Sequence, residues 1–176
     1  RPDRRRTVWR ADGMSPRSKN GPPITRAEIE RRYAALRAAM ERDHLDALLV
    51  CGNQYAGFEG AVRYVSGFEI VHRYAYVLLP LAGEPTLVFP AEARWIGDKR
   101  KPWVREQVWP DIPGRWLRDR AHGWKRLGVV GLDFVMAVRD YRELTQSACE
   151  MVAWDFPFDM ARAVKSEEEL KEIRES

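Results

Sequence analysis

The chain has 176 residues, 45% of them hydrophobic and 32% charged, enough apolar material for one ordinary core and too much for a disordered chain. Its longest apolar runs are too short to cross a bilayer, no apolar segment follows the basic start as in a secretory signal, and two cysteines make no disulfide framework. The formal net charge of +4 is uneven: residues 1–26 carry eight Arg and Lys against two Asp, which leaves the remainder at −2.

Residues 1–23 form a basic arm rich in Arg, Pro, Gly and Ser, without hydrophobic period. Clustered arginine attracts phosphate, so one reading is a polyanion-binding arm; the other is a solvated extension laid over the domain or a partner. No nucleic-acid motif or stacking platform follows it, which disfavours nucleic acid as a partner.

The first helix is marked by Thr25 as N-cap, Glu28 three residues on as a capping box, and Ile24 with Ile29 as a hydrophobic staple. Ile29, Tyr33, Leu36 and Met40 share one face, and the helix is predicted to run to about Arg42. "LDALLVCGN" then reads as a buried strand. "NQYAGFEGAVRYVSGFE", dense in Gly and aromatics, reads as an irregular loop in which Tyr64, Val65 and Phe68 pack down and Gly67 turns the chain.

"YAYVLLP" and "PTLVFP" read as an antiparallel hairpin joined by "LAGE". Helices are expected over residues 91–99, 115–122 and 138–148. "EQVWPDI" is a candidate edge strand because of Pro110, "RLGVVGLDF" a buried strand, and "EMVAWDF" a last strand. In "RLGVVGLD" the glycines match neither dinucleotide nor P-loop spacing, so Gly128 and Gly131 are read as points of close backbone approach. The whole is an α/β domain: a three-layer-like mixed sheet of about six strands with one antiparallel hairpin, flanked by helices.

Chemistry is sparse. His44, His72 and His122 are far apart in sequence, no HExxH or CxxC occurs, and the carboxylates of "ERDHLD" sit at a helix-to-strand turn. No catalytic residue and no metal ligand is assigned to this chain. Reduced cysteines fit a cytoplasmic protein.

"LDALLV", "RYVSGF", "GEPTLVFP", "RLGVVGLD" and a closing "R-x-V-K-S-x-E-E" occur in an order that resembles the N-terminal domain of the creatinase, prolidase and aminopeptidase P family, the pita-bread metallopeptidases. The resemblance covers residues 24–176 and implies the ribonuclease H-like fold of that domain. It also implies that residues 165–176 are a linker and the start of the first helix of a catalytic domain beyond Ser176. That domain would hold two divalent ions (Mn, Co or Zn) on two Asp, one His and two Glu, so this chain itself would carry no cofactor. On that reading residues 24–164 form a noncatalytic unit of an X-Pro peptidase, or of a hydrolase of guanidino compounds. The unit would dimerise and wall the partner subunit's active site. By its place after "TLVFP", Trp95 is the candidate aromatic reaching across the dimer, with Asn53, Tyr55 and Phe58 as a second rim. "VKSEEELKEIRES" would then be frayed or held by a neighbouring chain. The alternative, from the residues alone, is a free-standing binding module that uses the Arg-rich arm.

Overall fold

A computed structural model describes residues 24–94 and 102–175. Helix α1 (Arg26–Arg42) starts where the capping signal places it: Thr25 Oγ1 accepts from the Glu28 amide at 3.2 Å. The reciprocal half of the box is absent, because the Glu28 carboxylate turns to Arg31 and Arg32 while the Thr25 amide donates to Glu168 at 2.8 Å. Leu36, Ala39 and Met40 are buried on the face turned to the sheet.

After α1 come β1 (Ala47–Asn53), α2 (Glu59–Ser66), β2 (Tyr74–Pro80), β3 (Thr86–Val88), a single 3-10 turn (Ala91–Ala93), and β4 (Glu106–Val108). The second half holds α3 (Pro113–Arg120), β5 (Arg126–Val130), α4 (Val138–Leu144), β6 (Glu150–Ala153), α5 (Asp155–Ala161) and α6 (Glu167–Glu175).

The strands make one sheet in the order β4-β3-β2-β1-β5-β6. Only β2 runs against its neighbours, pairing antiparallel with both β1 and β3; the other pairings are parallel. The predicted hairpin is β2–β3, and the Pro110 segment supplies edge strand β4. β1 is central, and its run from Ala47 to Gly52 is buried on both faces. Even-numbered Leu48 and Val50 enter one apolar cluster with α1, α2 and α5. Odd-numbered Leu49 and Cys51 enter the other with α3 and α4. Helices thus cover both faces, the three-layer arrangement that a sheet apolar on both sides requires.

Three expectations are corrected. The stretch read as an irregular loop contains α2, whose Val62 and Val65 are fully buried, although Gly67 (φ 73°) does turn the chain. The last strand ends at Ala153, and "DFPFDMA" is helix α5; Pro157 is tolerated in its first turn, where the amide it lacks would have no intrahelical partner. The closing helix α6 is formed and its first turn is tied to α1 of the same chain, where a frayed helix or one held by a neighbouring chain was expected. Within the helix expected over 91–99, the 3-10 turn is described and residues 95–99 lie outside the described residues.

Of the glycines of "RLGVVGLD", Gly128 allows the close approach expected of it, whereas Gly131 ends the strand rather than continuing it. A Cβ on Gly128 would stand 2.5 Å from Leu45 Cδ1, and Gly131 takes φ 79° to end β5 four residues earlier than the sequence suggests.

Candidate functional site

β1 is followed by α2 on one face of the sheet, whereas its parallel neighbour β5 is followed by α4 on the other. Adjacent strands whose connections diverge leave a crevice at their carboxyl ends, where open α/β sheets bind ligands. Asn53 ends β1 there. Its side-chain oxygen accepts from the amides of Tyr55 (2.7 Å) and Ala56 (3.3 Å), while its backbone exchanges hydrogen bonds with Gly57 at 3.0 and 3.2 Å. This tight turn holds Tyr55 at its tip, 79% exposed.

Phe58 follows with φ 64°, left-handed and unusual for a bulky residue. The turn leaves α2 without a side-chain cap and lays the Phe58 ring parallel to Phe134, with centroids 6.2 Å apart. Phe134, 70% exposed, comes from the turn after β5, whose amides at 134, 135 and 136 all point at the Gly131 carbonyl. Asp155, at the start of α5, accepts from the Gly131 amide at 2.8 Å and ties the end of β6 to the same rim.

Between α2 and α5 this rim frames a cleft of about 250 Å³ lined by Phe58, Ala61, Val130, Asp155, Phe158 and Arg162. The Arg162 guanidinium lies 5.4 Å from the Phe158 ring and 5.6 Å from Tyr64, and 3.8 Å from the exposed Asp159 carboxylate.

The site offers aromatic surface and one paired cation, with no nucleophile held against a base. Cys51 sits beneath it, fully buried, and burial pushes its thiol well above the ordinary range, the opposite of a reactive thiolate. The three histidines are exposed. Asp43 and Asp46 of the "ERDHLD" turn are acceptors within the fold: Asp43 takes the Trp154 indole N–H at 2.6 Å, and Asp46 the amides of Lys125 and Arg126 at 2.7 and 2.9 Å. Among the described residues no three His, Cys, Asp or Glu converge as metal ligands, so a two-metal centre does not fit them.

Asn53, Tyr55 and Phe58 are thus brought together on one rim. Trp95 lies outside the described residues. Phe134 was missed because "GLDF" reads as the continuation of a strand; the signal was Gly131, a residue suited to the left-handed turn that ends it.

The family model for the creatinase/prolidase N-terminal domain matches residues 32–164. No curated protein sequence matches the chain significantly. Among solved structures it is similar to the N-terminal domain of the cytoplasmic peptidase PepQ from Mycobacterium tuberculosis H37Rv, at 23% identity and TM-score 0.58, over 76% of this chain and 98% of that one. It is also similar to dipeptidase PepE from Mycobacterium ulcerans (21% identity, TM-score 0.62, 82% of this chain and 39% of that one). The prolidase from Pyrococcus horikoshii OT3 matches at 21% identity and TM-score 0.60, over 80% of this chain and 37% of its own. The chain therefore spans less than two-fifths of those two proteins, and at such identities the likeness establishes the fold. With its six-stranded sheet, its diverging β1 and β5 connections and the match over residues 32–164, the chain belongs to the creatinase/prolidase N-terminal domain family.

Proposed function

We propose that this chain is the noncatalytic N-terminal domain of a cytoplasmic, metal-dependent hydrolase of X-Pro peptides, and that it pairs with a second subunit and walls the partner's active site. The observation that carries the reading is the rim at the carboxyl end of β1. It is aromatic, solvent-facing and rigidly turned, yet it has no acid–base or metal-ligand set of its own. A surface of that kind contacts and excludes; it does not do chemistry. The family match and the likeness to a prolidase support X-Pro peptides as the substrate class. The domain boundaries follow: a basic arm over 1–23, this domain over 24–164, and from 165 onward the lead into a catalytic domain that carries the metals.

The test is a substrate profile. In the full-length protein, Trp95→Ala and Tyr55→Ala should each change the ratio of kcat/KM between short and long X-Pro peptides several-fold while leaving Tm within a few degrees. An unchanged profile in both variants overturns the gating role. A salt-dependent gel shift with nucleic acid that needs residues 1–22 would favour the polyanion-binding reading instead.

A further inference from the structure

The two edges of the sheet are not alike. β4, at one edge, is three residues long, sets exposed Glu106 beside exposed Arg105, and is followed closely by Pro110. Short length, charge and proline are the features that keep an edge strand from pairing with another chain. β6, at the other edge, holds no proline, and its single charge, Glu150, is turned aside to Arg126 at 3.2 Å.

Pairing with β5 fixes which way the β6 backbone faces. The Glu150 and Trp154 amides donate to the Lys125 and Val129 carbonyls, each at 2.9 Å, so the even-numbered residues bond inward. The amides and carbonyls of Met151 and Ala153 therefore point away from the sheet. Among the described residues nothing is hydrogen-bonded to these outward groups. Val152 is half-buried on the face shared with Trp154 and α5. On that face α5 buries Phe158 but leaves Phe156 75% and Met160 55% exposed, four residues apart and so on one side of the helix.

An unpaired edge of this kind accepts another strand, and the sequence of β6 is complementary to itself. Antiparallel pairing about a twofold axis at Val152 sets Val152 against Val152 of a second copy and Met151 against its Ala153. The outward groups of 151 and 153 then exchange both bonds, while Val152 forms the close, non-bonded pair. Charge selects this register. It holds the two Glu150 residues four positions apart, roughly 13 Å along the strands, beyond the screening length of about 8 Å at physiological ionic strength. An axis shifted to Met151 would bring them to roughly 7 Å.

We propose that β6 is the seam of a twofold dimer: two copies join edge to edge in one continuous sheet, with Phe156 and Met160 of both α5 helices flanking the Val152 pair. This names a surface for the pairing in the proposed function and rests on that reading for the second subunit alone. Because β6 runs parallel to β5 and β1, antiparallel joining turns the two aromatic rims to opposite sides of the dimer.

Cysteine cross-linking in the full-length protein tests it. A non-bonded antiparallel pair holds its Cα atoms about 4.5 Å apart, within reach of a disulfide. The native Cys51 and Cys149 are buried and compete little. Under copper–phenanthroline oxidation, Val152→Cys should give at least about ten times more inter-chain disulfide than the more exposed Glu150→Cys or Ala153→Cys, whose counterparts lie too far along the seam. Val152→Lys should weaken dimerisation at least about tenfold in sedimentation equilibrium, since a charge on an edge strand opposes pairing. A dimer that Val152→Lys leaves as tight, or in which Val152→Cys links no more than Glu150→Cys, overturns the seam and leaves the pairing itself standing. A full-length protein that sediments as a monomer overturns both. If deleting residues 1–23 is what opens the Met151 and Ala153 amides to fast hydrogen exchange, the arm covers this edge in place of a second copy, and the inference falls.

Discussion

Asp140 is fully buried and accepts three hydrogen bonds, from the hydroxyls of Tyr74 (2.8 Å) and Tyr76 (3.0 Å) and from the Gly114 amide (3.0 Å). Burial raises both tyrosines, which keeps them protonated donors. An asparagine there turns an N–H group toward donors, so Asp140→Asn should cost about 2–4 kcal/mol in urea unfolding. Glu28 makes a pH-dependent contribution. Hydrogen bonding to Arg31 first, then to Arg32, overcomes the opposing effect of burial and lowers its pKa from 4.5 to about 2. A depressed carboxyl stabilises the folded state above its unfolded pKa, and that stability is lost as pH falls from 4.5 toward 2. The contribution is at most about 3 kcal/mol, and less in practice because Arg31 is a third exposed and screened by solvent. Glu28→Gln should flatten the acid side of a stability–pH curve in that window; an unchanged acid limb would place the effect on another group. Neither residue announces itself in the sequence. Glu28 reads as a capping partner and Asp140 as one more charge on a helix, because burial of a polar group depends on what the rest of the chain brings to it.

At the scale of elements, contact between α3 and α4 depends on the absence of a side chain. A Cβ on Gly114 would lie 2.3 Å from the Asp140 carbonyl oxygen and 2.4 Å from its Cα, backbone that cannot step aside. Gly114→Ala should cost roughly 3 kcal/mol or prevent folding, whereas Gly60→Ala, in the first turn of α2 with nothing within 4 Å, should gain about 0.5–1 kcal/mol. Thermal unfolding of the pair checks both signs. The same local physics explains which elements could be read in advance. α1 carries its own cap and a clean apolar face, and β1, β2 and β5 are apolar runs between turn residues. α2 begins at a left-handed Phe58 with no capping side chain, and α5 contains Pro157, so each lacks the start signal by which helices are recognised.

For the molecule as a whole, composition and the hairpin pointed to a mixed sheet, but strand order did not follow from them, since parallel neighbours β1 and β5 lie far apart in the chain. The candidate rim was legible in half. Asn53, Tyr55 and Phe58 stood out in an irregular aromatic stretch, while Phe134 joins them only through the β1–β5 pairing. Cys51 and Cys149 are both buried, so a thiol reagent should find no fast-reacting site in the native protein, and labelling should track global unfolding. Rapid labelling of Cys51 at neutral pH would contradict the packing beneath the rim.

The position of β1 has a consequence for the order in which the protein is made. β1 can pair with β2 as soon as residue 80 has emerged from the ribosome, but its other edge is satisfied only by β5, at residues 126–130. Until the ribosome has released that segment, the strand Ala47–Asn53 presents an unpaired apolar edge, the template on which nascent chains stick to one another. Nascent chains that have emerged only as far as about residue 125 should bind chaperones and aggregate, and chains that have emerged beyond about residue 155 should not, because β5 and β6 can then pair beside β1.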